Sequence, residues 1–136
     1  MAGGFALAGV LVQQAISARN DAVRRRADRV DRSHHEQHLA VIDVVKSGRR
    51  VQRALVQCSE AGGSSSTVAL LQSEVDQLAE AVAVVRLLVR DEAVIEAARA
   101  LETKAKKLLK DQVWDSTRLQ ISPFIREVQR LEDSFG

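Results

Sequence analysis

Seven aliphatic residues recur in strict three-four alternation at Val68, Leu71, Val75, Leu78, Val82, Val85 and Val89. That spacing places all seven on one face of an α-helix, whereas a strand would scatter them over both faces of a sheet. A helix with so regular a stripe needs an apolar partner along its whole length. Read as heptads, Val occupies a and Leu mostly d, the preference of parallel two-stranded coiled coils. Leu70, Ala81, Val84 and Leu88 widen the stripe, however, and a wide stripe suits a helix packed into a bundle. The short linker before it brings the preceding helix back as an antiparallel neighbour. The balance favours a bundle within one chain, with the intermolecular zipper as the alternative.

The rest of the chain reads as helix too. A single Pro in 136 residues, and few Gly outside two short clusters, favour long helices over strands and turns. Apolar residues at Val23, Ala27 and Val30, and from Leu39 through Val51 to Cys58, keep helical spacing. The polar surroundings of residues 24–38 predict a solvated stalk, with packing beginning near Leu39. Gly48 interrupts this pattern at a cost of about 1 kcal/mol relative to Ala, tolerable in a long helix or useful for a close helix contact. In "EAGGSSST", Gly62 and Gly63 are expected to form a left-handed C-terminal cap, and Ser66 or Thr67 to cap the second helix. The valine register fails at Glu92 and Glu96. A new stripe then runs through Val94, Ala98, Leu101, Ala105 and Leu108, with Asp91 as its N-cap; one continuous helix with a drifting stripe is the alternative. "WDSTRLQISP" reads as a loop. Ser122 and Pro123 predict N-cap and first residue of a last helix that carries Phe124, Val128, Leu131 and Phe135 on one face. The expected fold is all-α. A very long first helix packs in a helical hairpin or bundle with helices over about 66–90, 91–114 and 122–135. With aromatics at only 3% of residues, its core must be aliphatic.

Charge divides the chain unevenly. Residues 19–53 hold ten Lys or Arg against five Asp or Glu, and the remaining residues to the C-terminus hold ten against thirteen. The basic part directly follows a segment, Ala2 to Ala18, with no charged side chain. Phe5, Leu7, Val10, Leu11, Val12 and Ile16 are its large apolar residues, and Arg19, Arg24, Arg25, Arg26 and Arg29 form the basic flank. Apolar residues followed by arginines are the pattern of a membrane anchor with its cytoplasmic side at the arginines. A secretory signal fits less well, because neither a basic leading region nor a cleavage pattern is present. Seventeen helical residues span about 25 Å, near the lower limit for crossing a hydrocarbon core. The alternative is an apolar helix buried in an oligomer of a cytoplasmic protein. Gly3, Gly4 and Gly9 permit close approach between helices, so homo-oligomerisation is expected through this N-terminal segment rather than through the Val68–Val89 seam. The domain reading is thus 1–18 anchor or assembly helix, 19–38 basic helical stalk, and 39–136 helical bundle.

Three stretches, "FALAGVLVQQAISARNDAVRRR", "VVRLLVRDEAVIEAARALE" and "SPFIREVQRLEDSFG", occur in an order that resembles a loose family of small uncharacterised membrane-anchored helical proteins of high-GC Gram-positive bacteria. The resemblance covers most of the chain and rests on composition-like patterns rather than catalytic motifs. It implies a bundle anchored to the bacterial cell membrane and no known activity. The anchor is shorter here than that pattern implies.

Catalytic chemistry finds little purchase. "SHHEQHL" places His34 and His38 four residues apart, but the zinc-protease pattern H-E-x-x-H is missed in both registers, because Glu36 does not follow His34 and Leu39 stands where a second His would follow His35. A solvated histidine patch is the expectation, and no metal or other cofactor is expected. "AGGSSST" lacks the lysine of a phosphate loop. Cys58 has no neighbouring His and reads as a small packed hydrophobe in a chain with no disulfide. The arginine run is interspersed with Asp21, Asp28 and Asp31 and lacks aromatics for base stacking, which argues against nucleic acid and leaves a basic DNA-binding factor as the weakest reading. The expectation is a non-enzymatic protein that presents a helical bundle to a protein partner or to itself.

Overall fold

The structure, a computed structural model, describes the backbone of residues 2–135 and the side chains of residues 24–134 except Ala27. Four helices follow in order: α1 (Ala2–Glu60), α2 (Ser65–Leu88), α3 (Glu92–Lys110) and α4 (Ser122–Phe135), with a single 3-10 turn at Ser116–Arg118 between the last two. The all-α expectation is met, with no strand among the described residues. The chain forms two compact units that divide between His35 and Glu36. The first is helical, and its described residues from Arg24 to His35 are exposed. The second holds the core.

Local chemistry ends the helices. The amide of Gly63 donates to the Cys58 carbonyl at 2.8 Å and that of Gly62 to the Ser59 carbonyl at 3.4 Å, with φ of 73° and 63°. This is a Schellman cap, built where the two glycines predict it. Gly63 is needed twice over, since a Cβ there would come within 2.7 Å of Trp114 Nε1. The N-cap of α2 is Ser64, earlier than the expected Ser66 or Thr67, and its hydroxyl lies 2.9 Å from the Thr67 hydroxyl instead of capping a backbone amide. Thr67 in turn donates to the Ser64 carbonyl. The early start follows from the compact glycine turn, which frees the serines to enter the helix.

Asp91 caps α3 by accepting from the Val94 amide at 3.1 Å, so the break between α2 and α3 is real and the continuous-helix alternative is excluded. The third helix stops at Lys110, short of the expected 114. A second Schellman cap closes it: Val113 N–H donates to the Leu108 carbonyl at 3.0 Å and Gln112 N–H to the Leu109 carbonyl at 3.3 Å. Gln112 holds the left-handed position with φ of 55°, a conformation that costs a side-chain-bearing residue about 1–2 kcal/mol. Gln112→Gly is therefore expected to raise stability by about 0.5–1 kcal/mol, read as a higher urea midpoint at constant slope. At α4 the Ile125 amide donates to the Ile121 carbonyl at 3.1 Å. Ile121, not Ser122, thus occupies the cap position, and Pro123 lies one residue further into the first turn, where its missing N–H still costs nothing.

The core joins all four helices. From α1 it takes Ala40, Val41, Val44, Val51, Ala54, Leu55 and Cys58, and from α2 the stripe Leu71, Val75, Leu78, Val82 and Val85, continued by Val89 just past the helix end. Val94, Ala98, Leu101, Ala105 and Leu108 of α3 complete one side. The loop expected at 114–123 contributes buried Leu119 and Ile121, and α4 inserts Phe124, with Val128 and Leu131 partly buried; Phe135 lies outside the described side chains. Gly48 allows this convergence, since a Cβ there would sit 3.1 Å from Ile121 Cδ1 and 3.3 Å from Leu101 Cδ2. Ser47 is the one buried polar residue among those described, and its hydroxyl accepts from Arg50 Nη2 at 3.0 Å.

Candidate interaction surface

Residues expected to act in packing divide between the core and the surface. Six of the seven stripe residues, Leu71, Val75, Leu78, Val82, Val85 and Val89, are at most 2% exposed, and Val68 is partly buried at the end of the stripe. The stripe packs within the chain, so the parallel-zipper alternative gives way to the bundle. The widening residues do not behave as expected. Leu70, Val84 and Leu88 are 43%, 42% and 36% exposed, and only Ala81 is half-buried. The core of α2 is therefore narrow, and its second apolar row faces solvent. The physical reason is that α1 and α3 converge on one side of α2 and leave the neighbouring row uncovered.

Arg24, Arg25, Arg26 and Arg29 of the stalk are exposed, as is Val30. Arg19 and the apolar Phe5, Leu7, Val10, Leu11, Val12 and Ile16 lie outside the described side chains. Among the described residues no helix is long and apolar enough to cross a membrane. Leu39, expected to begin the packing, is 49% exposed, and among the described side chains of α1 Ala40 is the first that is buried.

Polar contacts tie the elements together at the bundle surface. Arg50 Nε of α1 lies 3.3 Å from Glu74 Oε2 of α2. Both atoms are shielded from solvent, and their alignment makes an ion contact without a hydrogen bond. Gln52 donates to the Leu119 carbonyl at 2.7 Å, and His38 Nδ1 lies 2.8 Å from Glu132 Oε1. Sequence reasoning missed the His38 contact, because nothing local announces a partner 94 residues away. Arg130 of α4 reaches Asp91 Oδ1 at 2.6 Å and Glu127 Oε2 at 2.8 Å. Asp91 thus caps α3 and clasps α4 with one carboxylate.

The Arg130 hydrogen bond and the Val94 amide hold the Asp91 carboxyl below its ordinary value of 3.8. A depressed carboxyl stabilises the fold above its unfolded value, and that contribution is lost as pH falls through the lower folded value. Replacing Asp91 by Asn keeps a cap but loses the charge. The stability difference between wild type and Asp91→Asn should accordingly be constant above about pH 5 and shrink as the pH falls below 3.8, seen in urea melts across that range.

No group of three His, Cys, Asp or Glu side chains able to hold a metal occurs among the described residues. Cys58 is a free, fully buried thiol. Among the described residues, the groove between α3 and α4 is lined by Ala97, Leu101, Lys104, Arg118 and Phe124 without a convergent set of reactive groups. What the arrangement offers is surface: an exposed arginine-bearing helix and an uncovered apolar row. No known protein family, curated protein or solved structure matches the chain.

Proposed function

We propose that this chain is a non-enzymatic helical interaction protein, anchored to the bacterial cell membrane by residues 1–18 and presenting its bundle on the cytoplasmic side to a protein partner. The observation that carries this reading is the exposed run Arg24, Arg25, Arg26 and Arg29, in a helix that continues from an uncharged segment of seventeen residues. Arginines in that position are held at the cytoplasmic face by the bias of membrane insertion. The resemblance to small membrane-anchored helical proteins of high-GC Gram-positive bacteria supports it. The shortness of the uncharged segment, about 25 Å as a helix, favours a second reading in which the protein is cytoplasmic and residues 1–18 pack between subunits of a homo-oligomer.

Fractionation separates the two. The full chain is expected to resist carbonate extraction from membranes, and a chain lacking residues 1–18 to appear in the supernatant. Release of the full chain by carbonate would sink the anchored reading. Orientation is tested in spheroplasts, where external protease should leave the bundle intact until the membrane is permeabilised; digestion without permeabilisation would reverse the topology.

A further inference from the structure

Charged neighbours on the bundle surface pair as spacings of three and four allow: Arg99 with Glu96, Lys106 with Glu102, Arg118 with Asp115 and Arg130 with Glu127. The stalk differs. Arg24, Arg25, Arg26, Arg29 and Arg32 are exposed, and among the described residues none of them pairs with a carboxylate, although Asp28 and Asp31 stand within the run. Positions three or four apart are neighbours on a helix. Arg29 has Arg25, Arg26, Arg32 and Ser33 at those distances, and Arg26 has Ala22, Val23, Arg29 and Val30, so neither adjoins an acid. Asp28 borders the cluster beside Arg25 and Arg32, Asp31 lies further round on the side of Arg24, and Glu36 ends the ridge. Like charges at these spacings destabilise a helix. The repulsion around Arg29 is relieved only by an anion from outside. Insertion bias counts arginines wherever they stand around a helix and does not call for a face. The face needs its own explanation.

The first helix continues without a break from Ala2 through this face. Residues 25–32 begin seven residues beyond the uncharged segment and end fourteen beyond it, about 10–21 Å along a helix. Helical side chains lean toward the N-terminus, which is the direction of that segment. A segment about 25 Å long falls short of a hydrocarbon core of about 30 Å, and the shortfall draws flanking residues toward the headgroups. The length of the arginine side chain and a Debye length of about 8 Å then place the cluster within the field of an anionic surface. The run uses arginine throughout and no lysine, and the planar guanidinium bonds phosphate oxygens in pairs. Nucleic acid offers phosphates too, but the stalk has no Phe, Trp or Tyr to stack on bases. We infer that Arg25, Arg26, Arg29 and Arg32 form a docking face for the phosphate headgroups of anionic lipids at the cytoplasmic membrane surface. The inference rests on the anchored reading above and adds a class of lipid to it.

The full chain is tested in lipid nanodiscs, one set of zwitterionic phosphatidylcholine and one containing phosphatidylglycerol. Val30→Cys, at a position 53% exposed and four residues after Arg26, carries an environment-sensitive fluorophore; the native Cys58 is fully buried and stays unlabelled. Shielding of the fluorophore from acrylamide is expected in the anionic discs and not in the zwitterionic ones, and raised salt should reverse it. Arg29→Gln is expected to lower the ratio of shielded to exposed probe about fivefold, the share of one arginine at an anionic surface. Adding Asp31→Asn restores the net charge away from the face and should not restore the ratio. Equal shielding in both kinds of disc would overturn the inference, and so would recovery of the ratio by Asp31→Asn, which would mean that net charge alone is felt. Release of the probe by inorganic phosphate at matched ionic strength would assign the face to a free anion and overturn it too. Shielding by polyglutamate without a response to anionic lipid would do the same in favour of an acidic protein segment. Failure of the anchored reading is distinguishable, because the chain would then not co-elute with zwitterionic discs at all. A chain that co-elutes but ignores phosphatidylglycerol loses this inference alone.

Discussion

Leu78→Asp is expected to leave the bundle unfolded at room temperature. Leu78 is 0% exposed at the middle of the α2 stripe. Removing its buried methyl groups forfeits about 2–5 kcal/mol, and the carboxylate left in an aliphatic core finds no partner and adds several more. Domains of this kind are stable by only about 5–15 kcal/mol, so the loss consumes most or all of it. The same substitution nine residues later supplies the control. Leu87 is 83% exposed, and Leu87→Asp should shift stability by no more than about 0.5 kcal/mol. Circular dichroism during a thermal ramp distinguishes the two. Equal melting temperatures would mean that the stripe has been assigned to the wrong face of α2.

Phe124→Ala is the second large effect. Phe124 is 1% exposed and is the anchor by which α4 enters the core, among Leu101, Leu119 and Pro123. Truncating a buried Phe costs about 3–5 kcal/mol because the surroundings close only partly over the space. For a bundle of this size that corresponds to a fall in melting temperature of roughly 15–30 °C. The surface contacts of α4, Arg130 to Asp91 and His38 to Glu132, do not compensate, since solvent screens exposed pairs and leaves them a small contribution. Phe124→Leu, which keeps most of the volume, should recover over half of the loss. The only tryptophan, Trp114, packs against the core in the segment leading to α4, so its fluorescence reports whether that end loosens first. A melting temperature unchanged in Phe124→Ala would show that α4 is not held through this side chain.

These two positions also mark how far reading the residues in order can go. The helices were legible because their determinants are local. The three-four stripe of α2 repeats within 22 residues, Gly62 and Gly63 supply the left-handed geometry of a cap, and Asp91 stands three residues before the amide that it caps. The end of α3 was missed for an equally local reason: Gln112 adopts a left-handed conformation that a glycine would have advertised. The candidate surface was half legible. Its exposed arginines follow from their charge, but the apolar row Leu70, Val84 and Leu88 reads as core.

Hydropathy cannot tell Leu70 from Leu71, or Val84 from Val85, although one of each pair is exposed and the other fully buried. The sequence alone determined that the chain is helical, where most helices begin and end, and that α2 must bury one unbroken stripe, since each depends on residues within a turn or two of one another. Which side of α2 its neighbours cover depends instead on contacts between residues far apart in the chain: Gly48 against Ile121, Gln52 on the Leu119 carbonyl, Arg130 on Asp91. Only the tertiary structure decided those, because burial is a property of where other helices pack, and the side chain left uncovered carries no mark of it.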